Sequence, residues 1–360
     1  MKNNIDIKNY IQFNGNNPFG SQAKLLFHID RLHSYLFQRD CSPVSMEISL
    51  TNRCNLNCSW CINSNFRGKE ALNFKSLAKF LKEAKQFGLK GITLSGGGEP
   101  TIYSQFLDTV QLASYLGFDI GLMTNGGYSD NEQKRYNETI GNHIKWARFS
   151  VDTIDETKYK RWKGANLLSK VFNNVKELKN YPIKVGINCN ISEEHTIKDV
   201  RDLINYFTDD VEYIQFRPIL PRYYKQEKVY LNEKVWNYLI EEAKKNSKIN
   251  LSNDKLNDVQ NNNFFGFMVC DGHFFQPILT ASGTMCTCMY HPDDDRFVLG
   301  NIYQNSFKEI WESEKRKKVI NFVRTLDYKN QCQACCKNTE INKLLDYINH
   351  PSQGGDINHL

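Results

Sequence analysis

The residues of this 360-residue chain best suited to chemistry are its eleven cysteines, most of which fall in two groups. Cys54, Cys58 and Cys61 lie in Asn52-Arg53-Cys54-Asn55-Leu56-Asn57-Cys58-Ser59-Trp60-Cys61. Thiolates at CxxxCxxC spacing can reach three corners of an iron–sulfur cubane and leave one iron without a protein ligand. They also suit zinc, but structural zinc closes with four ligands, and no further Cys or His stands close by in sequence. Cys270, Cys286, Cys288, Cys332, Cys335 and Cys336 form the second group, while Cys41 and Cys189 stand apart. Cys270 with Cys286 and Cys332 with Cys335 would supply four thiolates in two pairs, enough for a fully ligated cubane or for structural zinc. Cys288 and Cys336 neighbour that set and are alternatives to it. The run Ser95-Gly96-Gly97-Gly98-Glu99-Pro100 lets backbone approach a ligand closely, because glycine has no Cβ.

Composition narrows the partners. The 46 basic and 40 acidic residues give a net charge of +6, spread along the chain. Nucleic acid is not indicated, while an acidic or phosphorylated substrate is allowed. The N-terminus, Met1 to Asp6, lacks the apolar stretch of a signal peptide. No apolar run approaches the roughly 20 residues of a membrane helix. The expectation is a soluble cytoplasmic protein. In a reducing cytosol, clustered cysteines point to metal rather than to disulfides.

The elements that must position these residues alternate between 44 and 217. Strand-like runs at Val44–Leu50, Gly91–Ser95, Asp119–Thr124, Trp146–Val151, Ile183–Ile191 and Val211–Arg217 are separated by amphipathic helices. One helix carries Leu77, Phe80, Leu81 and Ala84, with Asn73 to cap it and Gly88 to end it. Six such units predict an α/β fold, a partial (β/α)6 TIM-like barrel with a parallel sheet. Working residues of such barrels sit at the carboxyl ends of the strands. The trio Cys54, Cys58 and Cys61 follows strand one, and the glycine run follows strand two. Asn125 ends strand three, Ser150 and Asp152 end strand four, Asn188 lies on strand five, and Arg217 ends strand six. The expected domains are a helical extension (1–42), the barrel (43–230), a helix and polar linker (231–263), a small α+β module (264–345) and a tail (346–360). The module is expected to hold a hairpin turning at Ser282-Gly283 and a helix over Ser306–Val323.

The first cysteine segment resembles the CxxxCxφC signature of the radical S-adenosylmethionine (SAM) superfamily, where φ is aromatic and Trp60 fills that place. Gly97–Pro100 resembles the family's GGEP motif. The second group resembles the twitch module of the SPASM/twitch branch, with Gly283, Leu299-Gly300-Asn301-Ile302 and Glu309-Ile310-Trp311 as supporting context. The resemblance spans roughly residues 43–340. It implies a 4Fe-4S cluster on Cys54, Cys58 and Cys61 whose open iron chelates SAM. It also implies one auxiliary 4Fe-4S cluster, since no cysteine follows Cys336. Trp60 would lie beside the adenine, and Gly97, Gly98 and Glu99 would meet the SAM ammonium. Asn125, Ser150, Asp152, Asn188 and Arg217 would contact the cofactor. Arg161 and Lys163 could face its carboxylate, although a solvated helix face is the plainer reading of both.

The implied activity is that of a radical SAM oxidoreductase. Reductive cleavage of SAM gives a 5′-deoxyadenosyl radical that abstracts hydrogen from substrate. The expected outcome is dehydrogenation of a sugar-like or aminocyclitol-like small molecule, with the auxiliary cluster taking the second electron. The alternatives are radical epimerisation, with Cys189 returning a hydrogen, and modification of a ribosomal peptide. Few residues precede strand one, which weighs against a separate peptide-binding domain. A zinc-bound, non-catalytic scaffold is the reading from another class. A flavodoxin- or ferredoxin-type protein is the expected electron donor.

Overall fold

The computed structural model describes residues 22–128, 131–219, 231–252, 267–292, 294–332 and 336–350. Short apolar runs become strands: β1 (Ser45–Ser49), β2 (Gly91–Ser95), β3 (Asp119–Thr124), β4 (Trp146–Ser150), β5 (Lys184–Ile191) and β6 (Tyr213–Pro218). The helices between them are α2 (Phe74–Gln86), α3 (Phe106–Tyr115), α4 (Gln133–His143), α5 (Glu156–Lys163), α6 (Leu168–Leu178) and α7 (Ile197–Phe207), with α1 (Ile29–Gln38) before β1. Local signals set their ends. The Asn73 side chain accepts from the Ser76 N–H to start α2, and Gly88, at φ +104°, turns the chain out of it. Thr196 and Asp199 form a reciprocal capping box on α7.

Each neighbouring pair from β1 to β6 is parallel. Side chains alternate between faces along each strand. Ile48, Leu94, Leu122, Phe149, Ile187 and Phe216 face the helices and join Leu77, Phe80, Val171 and Leu203 in one buried core. Glu47, Arg148, Ser150, Asn188, Asn190, Gln215 and Arg217 have the opposite parity and line the inner face of the curved sheet. A nearly complete split of apolar and polar positions thus gives the sheet one apolar face against the helices and one polar face.

Three features depart from the expectations. First, α8 (Glu233–Lys245) leads into a seventh parallel strand, β7 (Ile249–Leu251), which pairs with β6 inside the segment read as a linker. Second, the C-terminal module continues the sheet. β8 (Ile278–Leu279) pairs parallel with β1, and the β8–β9–β10 meander follows, with β9 at Thr284–Cys286 and β10 at Val298–Asn301. Among the described residues the result is a ten-stranded sheet ordered β10-β9-β8-β1-β2-β3-β4-β5-β6-β7. The expected turn at Gly283 is present, with φ +80°. Third, the helix expected over Ser306–Val323 is two helices, Phe307–Trp311 and Glu314–Arg324, because the Ser313 side chain caps the second by accepting from Arg316 N–H.

The module and α1 share a second core built from Leu32, Tyr35, Phe274, Phe275, Ile320 and Leu345. Arg324 pairs with Asp271, and Tyr35 also donates to Asp271. Trp311 Nε1 donates to Cys41 O at 3.0 Å, so Cys41 belongs to this packing. No described helix is long and apolar enough to cross a membrane. Met1 to Asp6, Asn253–Asn263, Cys335 and the tail from Pro351 lie outside the described residues.

Candidate active site

The loop after β1 carries Cys54, Cys58 and Cys61, all half-buried, and three neighbouring elements hold it. Gly98 N–H donates to Thr51 O (3.0 Å) and Glu99 N–H to Arg53 O (2.8 Å), so the glycine run lies flat on the cysteine loop. A Cβ on Gly98 would sit 1.8 Å from Arg53 O, which is why glycine is required there. Asn55 Nδ2 donates to Gly127 O (2.9 Å), and Asn125 Nδ2 donates to Asn55 Oδ1 (2.7 Å), tying in the turn after β3. Asn57 N–H and Ser59 N–H donate to Lys163 O and Trp162 O at the end of α5.

Charge around the thiols suits an anionic cluster. Arg67 Nη2 reaches Cys61 Sγ at 3.4 Å and also feels Cys54 and Cys58. Burial pushes the Cys58 thiol up to about 11 and the neighbouring thiols add to the rise, while Lys163 opposes it. Burial also raises Cys54. Thiols held protonated in this way must release their protons when a metal centre binds. Among the described residues, no three His, Cys, Asp or Glu side chains are drawn together tightly enough to share one metal ion. A cubane takes its thiolates on separate iron corners. The donors present therefore fit a 4Fe-4S cluster, with Arg67 and Lys163 to balance its charge.

Lys163 departs from the plainer reading of a solvated helix face. It is 3% exposed, not solvated, and its ammonium pairs with Asp152. Burial works against its charge, but Asp152 and Cys58 together hold its pKa above the ordinary value. Arg161 fits the plainer reading, pairing with Glu194 on the surface. Arg67 was missed, because a lone arginine in a loop carries no periodicity to mark it.

Two of the residues expected to meet the cofactor have protein partners. Glu99 is 3% exposed, and its carboxylate accepts from Thr101 Oγ1 (2.7 Å), Thr124 Oγ1 (2.6 Å) and Asn125 N–H (2.7 Å). It joins the ends of β2 and β3. The Asp152 carboxylate accepts from Asn190 N–H (2.8 Å) and Nδ2 (3.2 Å) besides pairing with Lys163, so it stands behind the site. Trp60, whose ring lies 5.3 Å from that of Trp162, has its buried Nε1 without a hydrogen-bond partner, and so does Asn188 Oδ1. Ser150 is level with Asn188 in the sheet, and Arg217 is level with Asn190.

Cys189 takes the other face. It is fully buried in the helix-side core, with Sγ 3.5 Å from Asp152 O, and burial raises its pKa well above the ordinary value. The structure does not bring this thiol to the inner face.

In the module, Cys270, Cys288, Cys332 and Cys336 line one largely apolar pocket, with His273 and Lys337. Burial raises the pKa of Cys270, and the next cause is Cys336; the same two causes lead for Cys288 and Cys332. Asn342 Nδ2 donates to Cys270 Sγ at 3.4 Å. Cys286 is buried on β9 outside that lining, with Sγ 3.4 Å from Cys288 O. Cys286 lies close enough to Cys288 for its charge to act on that thiol, so both thiols of the expected alternative stand at this end of the module. Four thiols in one pocket fit a fully ligated cluster. Lys337 reaches from this pocket to Glu47 Oε2 on the inner face of β1, at 2.8 Å.

With both sites described, comparison with known proteins defines the class. Residues 48–207 match the Radical SAM superfamily, and residues 270–336 match the iron-sulfur cluster-binding domain SPASM. The chain belongs to the radical SAM superfamily, in its SPASM branch. Its cofactors are SAM with a 4Fe-4S cluster, and further iron–sulfur in the SPASM domain. Among similar proteins, a GTP 3′,8-cyclase of Clostridium perfringens (strain 13 / Type A) is 28% identical over 183 residues, covering 48% of this chain and 55% of that one. A GTP 3′,8-cyclase of Campylobacter jejuni (strain RM1221) is 26% identical over 263 residues, covering 68% and 80%. The chain spans about half the length of the curated relatives it matches first. Streptococcus suis SuiB bound to precursor peptide SuiA shares the fold, with TM-score 0.65, 14% identity, and coverage of 90% of this chain and 76% of that one. So does anSMEcpe with bound AdoMet, with TM-score 0.57, 17% identity, and coverage of 88% and 99%.

Proposed function

We propose that this radical SAM enzyme dehydrogenates a hydroxyl-bearing, sugar-like small molecule held on the inner face of the sheet. The observation that carries the reading is the second pocket: Cys270, Cys288, Cys332 and Cys336 gather there, and Lys337 links it to Glu47 inside the barrel. When bound, SAM and the 4Fe-4S cluster supply a 5′-deoxyadenosyl radical by one-electron cleavage, and an auxiliary cluster supplies an acceptor for the substrate's second electron.

The chain's own residues do the rest. Cys54, Cys58 and Cys61 hold the cluster and leave one corner for SAM. Gly97 and Gly98 keep side chains out of the space above that loop. Trp60, Asn125, Ser150 and Asn188 orient the adenosyl half. Glu99, Asp152 and Lys163 act one layer back, fixing the loops that carry these groups. Cys270, Cys288, Cys332 and Cys336 ligate the auxiliary cluster. Closure of the barrel by the module keeps water from the radical. A flavodoxin- or ferredoxin-type donor supplies the electron.

Modification of a ribosomal peptide is the second reading, favoured by the shared fold with SuiB, whose structure holds a precursor peptide. Epimerisation through Cys189 has no support, because that thiol is packed on the helix side. The test is deuterium transfer. Incubation with SAM, reductant and candidate substrates deuterated at carbinol carbons is expected to yield deuterated 5′-deoxyadenosine and a product two hydrogens lighter. Deuterium uptake from labelled peptides alone, or a product of unchanged mass, would overturn the dehydrogenation.

A further inference from the structure

The pocket of four thiols also holds an imidazole. His273 lines it together with Cys270, Cys288, Cys332 and Cys336. The side chain is 3% exposed, and its buried Nε2 has no hydrogen-bond partner. Leaving a ring nitrogen unpaired in a largely apolar interior is costly, and such a group calls for a partner.

The turn that places Cys270 also fixes this ring. Asn342 Oδ1 accepts from the N–H groups of Asp271 (2.9 Å) and Gly272 (2.6 Å), and Asn342 Nδ2 donates to Cys270 Sγ (3.4 Å). Gly272–Phe274 follows as one turn of 3-10 helix. A Cβ on Gly272 would sit 2.8 Å from Asn338 Cβ, so the turn packs tightly against that residue. The imidazole stacks on Phe274, with ring centroids 4.8 Å apart and planes at 21°. One set of contacts therefore holds a thiol and an imidazole in the same lining.

The charged groups around the ring are engaged with one another. Asp271 accepts from Arg324 and Tyr35, and Asp40 accepts from both terminal nitrogens of Arg316. Burial brings the His273 pKa down to about 4 against the pull of Asp271, so at pH 7 the ring is neutral and carries a single N–H. A cluster on the four thiols would put sulfur acceptors in the same pocket. Hydrogen bonds to cluster sulfurs are one of the levers that set a cluster's potential.

We infer that His273 donates a hydrogen bond from Nε2 to a sulfur of the auxiliary cluster and makes its reduction potential less negative. His273 is a positioning residue and not a ligand, because the four thiols fill the iron corners. A less negative cluster accepts the substrate's second electron more readily. That consequence rests on the dehydrogenation reading, whereas the hydrogen bond itself does not.

The test uses the full chain with Cys54, Cys58 and Cys61 replaced by Ala, so that the auxiliary cluster alone is reconstituted and followed by EPR in a redox titration. His273→Phe is expected to keep about four irons. Its midpoint potential is expected to fall by the equivalent of tenfold or more in the reduction equilibrium, about 59 mV for one electron. His273→Gln keeps an N–H and is expected to recover part of that shift. An unchanged potential in His273→Phe with its iron retained overturns the assignment. Where His273→Phe does not hold iron, pulsed EPR on the reduced parent chain, labelled with heavy nitrogen at histidine, decides. A weakly coupled histidine nitrogen supports the donor. No histidine coupling, or the strong coupling of a nitrogen bound to iron, overturns it. Neither SAM nor substrate enters these measurements. Failure of the dehydrogenation thus leaves the hydrogen bond standing, and an unchanged potential leaves the dehydrogenation standing.

Discussion

At the scale of single residues, position in the sequence located the chemistry better than it assigned the roles. Cys54, Cys58 and Cys61 were legible because their ligand set is local and its spacing is the signal. Glu99 and Asp152 were legible as positions but not as buried anchors, since their partners come from other strands. Cys286 and Cys288 are two residues apart, and spacing does not decide which of them lines the pocket that Cys288 lines in the structure. The pocket geometry predicts that Cys288→Ser lowers iron from about eight to about four per reconstituted chain, while Cys286→Ser keeps it near eight. Iron and sulfide analysis checks this, and equal losses in both variants would contradict it. Lys163→Met would leave the Asp152 carboxylate buried without its counter-charge. Denaturant unfolding is expected to show a loss of about 3–5 kcal/mol, and a change near zero would mean that the pair is unimportant.

At the scale of elements, the six βα units were readable because each strand alternates strictly and each helix carries a continuous apolar stripe. β7 was not readable, because Ile249–Leu251 is a short run among polar residues and becomes a strand through pairing with β6. The break in the helix after Ser306 depends on one serine acting as a cap, and propensity alone does not weigh that. The close contact between the glycine run and the cysteine loop makes a sharp prediction. Gly98→Ala places a Cβ against Arg53 O and is expected to abolish SAM binding measured by calorimetry. Asn73→Ala, at the start of α2, removes only a cap. It is expected to cost about 1 kcal/mol and leave SAM affinity unchanged.

At the scale of the molecule, the module and the barrel are one sheet, joined through β8 and β1 and clamped by Lys337 on Glu47. Sequence separated the two parts because their strands lie far apart in the chain; the pairing is a long-range contact with no local mark. Burial acts to raise the Glu47 pKa, but Lys337 and Ser95 overcome it and hold the group below its usual 4.5. A depressed acid stabilises the fold above its unfolded pKa, and that contribution fades as pH falls through the lower folded value. Thermal unfolding of protein without clusters is therefore expected to lose stability below about pH 4.5, and less steeply in Glu47→Gln. An identical acid limb in the variant would show that the clamp contributes nothing.

The central claim is that three thiolates hold a cubane with one corner left for SAM. Formation of 5′-deoxyadenosine from SAM under reductant, after anaerobic reconstitution with iron and sulfide, tests it most directly. The account predicts 5′-deoxyadenosine from wild type and none from Cys58→Ala. A wild-type chain that carries its full iron yet leaves SAM intact, or one whose first cysteine group retains zinc, would contradict it.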